Sequence, residues 1–256
     1  IGGCALNGMV DRLSFHFALD AKISGNDVGK KSLASERRLS IAVRAQKVLG
    51  VRDEVGNAFK FNGSSGQVNM GNPASLNFGT APFSLEAWFN WNGRGAGDVG
   101  TGGVAGSYHD NIIRKSNYPV SGSGSGYRLR IETALASGLN EDNLEFAIGD
   151  TVGTSEPNGK IYTPISAKSW HHVVATRDSS GAMKLYVDGE LKGTKQATNA
   201  ETTSAAPFTL GAWDDRFGVT ENFAGMIDEV SVYNRALDAS EVKAIFNAGG
   251  DGKCAS

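Results

Sequence analysis

The chain has 256 residues, of which 40% are hydrophobic and 20% are charged, and its formal net charge is −2. This length suits one large domain, and the balanced charge argues against both a disordered tail and a nucleic-acid-binding protein. No run approaches the roughly 18 apolar residues that span a membrane, and no signal peptide opens the chain, so we expect a protein without a transmembrane segment, already processed or trimmed.

The two cysteines, Cys4 and Cys254, stand at opposite ends of the chain. A bridge between them would contribute about 4 to 5 kcal/mol by the chain-entropy model, and it would require the two ends to meet. Such a bridge would indicate an oxidising, extracytoplasmic location. Two alternatives stay open, namely two unrelated thiols, or a lipid anchor at Cys4 after the short segment Ile1-Gly2-Gly3.

A basic segment follows, with seven Lys or Arg residues and one acid, Glu36, in residues 30–52. Because no aromatic residues are interleaved for stacking, we interpret it as a solvated loop around a short strand at Leu39, Ile41 and Val43. A polyanion-binding patch is the alternative.

Strand patterns dominate the rest of the chain. Alternating apolar residues predict strands at 59–61, 83–89, 127–131, 144–148, 208–210 and 226–233, with the arginines of 127–131 on a solvent-exposed face. The segment 183–191 predicts a hairpin, because Asp188-Gly189 favours the positive φ angles of a tight turn. Glycine-rich residues 93–106 and 121–126 are expected to be loops.

One helix is predicted near the end of the chain. Asp238 and Glu241 form a capping-box pattern, apolar residues follow at 242, 245 and 246, and Gly249 is a stop signal. With no alternation of helices and strands, the sequence predicts an all-β fold of two antiparallel sheets packed face to face, with one short C-terminal helix.

Five segments in the same order resemble the laminin-G-like domains of the concanavalin A-like lectin/glucanase superfamily. They are residues 57–63 (NAFKFNG), 83–88 (FSLEAW), 170–178 (WHHVVATRD), 185–189 (LYVDG) and 225–237 (GMIDEVSVYNRAL). The closing Gly252-Lys253-Cys254 is similar to a bacterial subset of these domains. The resemblance implies a single jelly-roll domain over residues 1–256, with its core at about 13–254 and its termini adjacent, joined by Cys4 and Cys254. The longer, basic segment 29–51 departs from the usual pattern.

Catalysis is not expected. Glucan-cleaving members of the superfamily carry closely alternating carboxylates on one strand, whereas the nearest cluster here, Glu141, Asp142 and Glu145, lacks that alternation. His171 and His172 are strand neighbours that point to opposite faces, so they cannot jointly hold one ion, and we interpret His172 as structural. No Ser, His and Asp arrangement can be assembled from sequence spacing.

A structural calcium ion is expected at Asp228, an acid inside an apolar strand, where an unpaired charge would be costly. The resemblance to glucanases implies further ligands at the carbonyl of Asn62 or Gly63, with Asp20 as an additional oxygen donor. A carboxylate bonded to a turn, or paired with Arg235, explains Asp228 equally well.

Ligand binding is expected in two loops that mix aromatic and polar residues, whereas Trp88 and Trp170 lie inside strand motifs and are expected in the core. The candidate residues are Trp91, Tyr108, His109, Asp110, Trp213, Asp214, Asp215, Arg216 and Asn222. In the alternatives, the aromatic residues close the ends of the sandwich, and Asp110, Asp214 and Asp215 hold a second calcium at the rim.

The sequence and the resemblance together predict an extracellular or cell-surface, secreted domain that binds a glycan or a cell-surface protein and does not catalyse a reaction. The alternatives are a structural or adhesion subunit that binds protein partners, self-association included, and, third, a glycan-cleaving enzyme with an unrecognised site. Fold alone does not separate them, because this scaffold serves all three.

Overall fold

A computed structural model describes residues 41–43, 58–64, 66–93, 109–116, 125–133, 141–150, 157–197, 202–214 and 220–249. Six residues of the predicted sites, Cys4, Asp20, Tyr108, Asp215, Arg216 and Cys254, lie outside these ranges. The Cys4–Cys254 bridge therefore stays a prediction, as does the joining of the termini.

The described secondary structure consists of strands, a short 3-10 helix at Ala74–Leu76 and one α-helix, α1 (Ala239–Ala248). The strands are β1 (Ile41–Val43), β2 (Phe59–Asn62), β3 (Val68–Asn69), β4 (Phe83–Trp91), β5 (His109–Ser116), β6 (Gly126–Glu132), β7 (Asn143–Asp150), β8 (Pro157–Pro164), β9 (Trp170–Arg177), β10 (Ala182–Val187), β11 (Glu190–Gln196), β12 (Thr209–Leu210), β13 (Ala212–Asp214), β14 (Thr220–Asn222) and β15 (Ala224–Tyr233). Each strand predicted from the alternating pattern is found.

Two antiparallel sheets form the architecture. The seven-stranded sheet has the order β1-β15-β4-β9-β10-β11, with β2 also paired to β15, and the six-stranded sheet has the order β3-β12-β5-β6-β7-β8. The hairpin β13-β14 forms a third, two-stranded sheet. This confirms the predicted sandwich with one short helix near its C-terminal end.

The main core lies between the two large sheets. It joins Leu85 and Val173 of the seven-stranded sheet to Leu129 and Phe146 of the six-stranded sheet, and all four side chains are fully buried. Since side chains alternate along a strand, the residues between these core positions point away from the core. Each large sheet therefore has an outer face of its own.

Local turn and cap chemistry forms as predicted. Asp188 and Gly189 adopt φ angles of 53° and 75° in the β10-β11 turn, the left-handed conformation that Asp-Gly favours. Asp238 Oδ1 accepts hydrogen bonds from the backbone N–H groups of Ser240 and Glu241, and the Glu241 side chain accepts from the Asp238 N–H. This capping box starts α1.

Helix α1 covers the outer face of the seven-stranded sheet. Val242 and Ile245 of the helix join a second buried apolar cluster with Val174, Tyr186 and Tyr233 of the strands. The predicted apolar stripe thus lies on the back of the sandwich, away from the main core. Among the described residues, no helix has the length and apolarity needed to cross a membrane.

Candidate functional site

The outer face of the six-stranded sheet carries a continuous set of charged and polar side chains. It is formed by alternate positions of β5, β6 and β7 together with one residue of β14. We call this set the arginine–glutamate face, and it consists of His109, Asn111, Arg114, Arg128, Arg130, Glu132, Glu145 and Glu221. The arginines of β6 were expected on a solvent-exposed face, but Arg130 is 7% exposed and the Arg128 side chain is 12% exposed, so both are largely buried.

Glu145 is the fully buried anion of this face. Arg128 Nε donates to its Oε1 at 2.6 Å, and Arg130 Nη2 donates to its Oε2 at 3.2 Å. Burial raises the pKa of Glu145, but the charges of Arg128 and Arg130 more than offset it, so the net pKa lies well below the ordinary value. A buried carboxylate paired in this way stays ionised.

Glu221 reaches the face from the β13-β14 hairpin, about 90 residues further along the chain than Arg130. Arg114 Nη1 donates to Glu221 Oε2 at 3.0 Å and Asn111 Nδ2 donates to the same oxygen at 2.8 Å. His109 Nδ1 lies 2.8 Å from Oε1. Burial raises the pKa of Glu221, and the hydrogen bond from His109 and the charge of Arg114 lower it further than burial raises it.

Glu132 shares Arg130 with Glu145, since Arg130 Nη2 donates to Glu132 Oε2 at 3.3 Å and to Glu145 Oε2 at 3.2 Å. Burial, followed by the hydrogen bond to Glu145, raises the pKa of Glu132. The two acids therefore have opposite tendencies, one toward the anion and one toward the neutral acid.

Trp213 borders the arginine–glutamate face. It lies on β13, in register with Glu221 on β14, and the Arg114 guanidinium carbon stands 3.8 Å from the centroid of its ring. The indole is half-buried. The hairpin thus places a large aromatic ring beside hydrogen-bonding groups, the combination that orients ligands in small-molecule sites.

Two of the predicted binding residues lie inside the sandwich instead of on its rim. Trp91 and Asp110 are both fully buried, and the indole Nε1 of Trp91 donates to Asp110 Oδ2 at 2.7 Å. This corrects the expectation that they form part of a binding loop. Their contact satisfies two polar groups in an apolar interior, which is a structural role.

The other predicted residues have mixed positions. His109 and Trp213 belong to, or border, the arginine–glutamate face, as described above. Asn222 is buried, and its Nδ2 donates to the carbonyl of Ser64 at 3.3 Å, so it fixes the segment after β2. Asp214 ends β13, and its side chain lies outside the described part of the chain.

Of the expected calcium ligands, the three that the structure describes, Asp228, Asn62 and Gly63, are not brought together. Asn62 pairs with Ala224 on β15, four residues before Asp228, which is about 13 Å along a strand. Oxygen ligands stand about 2.5 Å from calcium, so two of them lie within about 5 Å of each other. Gly63 lies still nearer the start of β15, since its N–H donates to Phe223 O. Asp228 therefore cannot share one ion with Asn62 or Gly63.

Asp228 instead has a local structural role. The register between β15 and β4 shifts after Asp228, and the next residue, Glu229, has a φ of 47°. Asp228 Oδ1 accepts from the Glu229 N–H at 2.8 Å, which stabilises this bulge. Arg235 pairs with Glu241 through two hydrogen bonds of 2.6 and 2.7 Å. Within the described ranges, no group of three His, Cys, Asp or Glu side chains is placed to hold a metal ion.

The histidine neighbours do face opposite ways. His172 is fully buried, with Nε2 3.3 Å from Glu86 Oε1, and its ring packs against Trp88. His171 lies at the edge of the core, with Nδ1 2.8 Å from Asp188 Oδ2 and Nε2 2.9 Å from Ser166 Oγ. A Ser, His and Asp arrangement that sequence spacing does not indicate is thus present in the structure.

Most of the arginine–glutamate face is not predictable from the sequence. Arg128, Arg130 and Glu132 do alternate along β6, which indicates a shared polar side. Nothing in that pattern shows that Glu145 and Glu221 would neutralise them, because both acids come from other strands.

Comparisons with known proteins agree with this architecture. Residues 62–243 match a laminin-G family model described as "Concanavalin A-like lectin/glucanases superfamily". No curated protein matches the chain.

Solved structures with the same fold include the binding domain of Paraclostridial Mosquitocidal Protein 1, at 16% identity and a TM-score of 0.57, covering 77% of this chain and 45% of that one. The binding domain of botulinum neurotoxin serotype G has 16% identity and a TM-score of 0.53, over 75% of this chain and 42% of that one. A candidate carbohydrate-binding protein from Bacteroides ovatus ATCC 8483 has 20% identity and a TM-score of 0.52, over 74% and 46%. The chain thus spans less than half of each of these structures, and identities this low establish a shared fold alone.

Proposed function

The chain belongs to the concanavalin A-like lectin/glucanases superfamily, and from this premise we propose that it is a lectin-like domain that binds carbohydrate on the outer face of its six-stranded sheet. The observation that carries the proposal is the position of Trp213 beside the arginine–glutamate face. Sugars present an apolar ring face and several hydroxyls, so they bind where an aromatic ring adjoins fixed donors and acceptors.

Contacts within the face support a rigid site. The Glu221 carboxylate has three partners, Arg114, Asn111 and His109. The Glu145 carboxylate has two, Arg128 and Arg130. Side chains fixed in this way lose little conformational freedom when a ligand binds, which favours affinity. The stacked Arg114 also fixes the plane of the Trp213 ring.

The same geometry favours binding over glycan cleavage. Retaining glycosidases hold two carboxyl groups about 5 to 5.5 Å apart, and inverting ones hold them still further apart. Here Arg130 Nη2 donates to Glu132 Oε2 at 3.3 Å and to Glu145 Oε2 at 3.2 Å, so one guanidinium already pairs with both carboxyl groups and leaves neither free as a nucleophile or an acid.

An array of glycans, followed by titration calorimetry on the strongest hit, tests the proposal. Trp213→Ala should weaken binding by about tenfold, equivalent to about 1.4 kcal/mol, whereas Trp213→Phe should keep most of the affinity. Leu191→Ala is the matched control, because Leu191 is 51% exposed on β11 of the other sheet. No hit on the array, or equal affinities for Trp213→Ala and the intact chain, would refute the site.

A protein partner is the second candidate. Strand β11 lies at one end of the described seven-stranded sheet, with nearly all of its residues exposed, and exposed edge strands can pair with other chains. If no glycan on the array is bound and the chain self-associates in analytical ultracentrifugation, this function is favoured. Calcium binding, the Cys4–Cys254 bridge and an extracellular location remain predictions.

A further inference from the structure

Ser166, His171 and Asp188 meet at the rim of the sandwich, outside the arginine–glutamate face. Ser166 lies in the crossover from β8 to β9, His171 is the second residue of β9, and Asp188 begins the β10-β11 turn. Ser166 Oγ is 2.9 Å from His171 Nε2, and His171 Nδ1 is 2.8 Å from Asp188 Oδ2. These contacts join a hydroxyl, an imidazole and a carboxyl in series, as in a nucleophile, its base and the group that orients the base.

The ionisation of Asp188 decides which imidazole nitrogen carries the proton. Partial burial raises the pKa of Asp188, but the hydrogen bonds from His171 and from the His172 N–H more than offset this, so the net pKa is lowered. An ionised carboxylate can only accept, so Nδ1 of His171 must donate to it. The lone pair of a neutral imidazole then lies on Nε2, facing the hydroxyl of Ser166.

The arrangement is fixed on both sides. Asp188 Oδ1 accepts the backbone N–H of His172 at 2.9 Å, which orients the carboxylate independently of His171. The loop of Ser166 is held to β4 by the Lys168 N–H, which donates to Trp91 O at 2.6 Å, and Lys168 has a φ of 65°. Backbone held in this region by its surroundings is common at functional sites.

Ser166 and His171 differ in exposure, and a nucleophilic site requires an accessible hydroxyl. Ser166 is exposed to solvent, whereas the His171 side chain is 13% exposed and its ring packs against buried Phe89, with centroids 5.8 Å apart. A ligand can therefore approach the hydroxyl while the base stays shielded.

We propose that Ser166 is an activated nucleophile that accepts the acyl group of small esters, with His171 as general base and Asp188 as its orienting carboxylate. Ser166 Oγ attacks the ester carbonyl carbon and its proton passes to His171 Nε2. The bond to the alcohol oxygen breaks as Nε2 returns that proton to the leaving alcohol. Water then attacks the acyl group, His171 takes one water proton and delivers it to Ser166 Oγ, and the carboxylic acid is released.

Covalent labelling tests the nucleophile directly. A fluorophosphonate probe should form a bond between its phosphorus and Ser166 Oγ with loss of fluoride, detected by intact mass and located by peptide mapping. Ser166→Ala should abolish the label, and His171→Gln should slow it at least 100-fold. Ser169→Ala, three residues away in the same loop, is the matched control and should label like the intact chain.

Turnover is measured with p-nitrophenyl acetate at neutral pH. The intact chain should release p-nitrophenol faster than Ser166→Ala and His171→Gln. Asp188→Asn should have a rate between that of the intact chain and those of these two variants, and asparagine suits a turn residue with positive φ. If the intact chain takes no label, or if Ser166→Ala and the intact chain hydrolyse the ester equally, the three residues only tie the crossover to the hairpin and the proposal is wrong. Neither the labelling nor the turnover assay depends on glycan binding. Failure of the nucleophile proposal would therefore not contradict the proposed carbohydrate binding.

Discussion

The two sheets bury charge on their outer faces in different ways. On the seven-stranded sheet, buried Glu86 accepts from the hydroxyl of Tyr233 at 2.5 Å and lies 3.3 Å from His172, beneath the apolar side of α1. On the six-stranded sheet, Glu145 and Glu221 are matched by three arginines, with Trp213 at the border.

This difference separates a structural face from a face that can serve ligands. An acid among aromatic and apolar groups is satisfied by a few neighbours and then covered, so little remains to recognise another molecule. A network of ion pairs beside an aromatic ring offers many donors and acceptors in fixed positions. The comparison predicts that substitutions on the two faces affect stability and binding differently.

The largest effect on stability is expected from Glu145→Ala. The substitution leaves Arg128 and Arg130 buried or half-buried without their shared anion, which should cost about 3 to 5 kcal/mol of the free energy of unfolding. Urea denaturation followed by tryptophan fluorescence measures it. Glu190→Ala is the control, because Glu190 and its partner Lys243 are both exposed, and it should change little. A loss as small as the control's would show that the ion pairs of this face are not coupled to folding.

On the other face, Ile245→Ala should lower the free energy of unfolding by about 2 to 4 kcal/mol, since it leaves a cavity between α1 and the sheet. Glycan affinity should not change, because α1 lies on the opposite side of the sandwich from Trp213. Asn247→Ala, exposed on the same helix, should be neutral in both assays. A loss of glycan binding in Ile245→Ala while the chain remains folded would contradict the independence of the two faces.

The smallest effect is expected from Glu221→Gln, and it should depend on pH. Because the pKa of Glu221 is lower in the folded chain than in the unfolded one, its ionisation stabilises the fold fully above about pH 5. This contribution decreases as the pH falls below the ordinary glutamate value near 4.3, and it is lost completely only when the pH passes the lower pKa of the folded chain. The stability difference between the intact chain and Glu221→Gln should therefore shrink between pH 5 and pH 3 in urea titrations. A difference that stays constant over this range would mean that the charge of Glu221 does not contribute to the stability of the fold.

The candidate site was predictable only in part. Trp213 and His109 follow from the mixture of aromatic and polar residues in loops, and the charges of β6 follow from alternation. Trp91 was misplaced because a tryptophan at a strand end can either face solvent or close the core, and the choice depended on whether a partner such as Asp110 lay within reach. That partner is on a strand of the opposite sheet.

The separation of Asn62 from Asp228 was not predictable from the sequence for a related reason. An acid in an apolar strand signals a charge that needs compensation, but it does not say whether an ion, a side chain or a backbone bulge supplies it. The register between β2 and β15 separates Asn62 from Asp228, and a register is set by pairing across the sheet.

The sequence by itself determined the strands, the Asp188-Gly189 turn, the capped helix and the family, because alternation, turn chemistry and caps act between residues a few positions apart. Only the tertiary structure decided which polar groups meet: Glu221 with Arg114, Trp91 with Asp110, and Ser166 with His171 and Asp188. Those contacts depend on how strands that are distant in the chain pair and stack. The local conformational preferences of the residues do not specify that pairing.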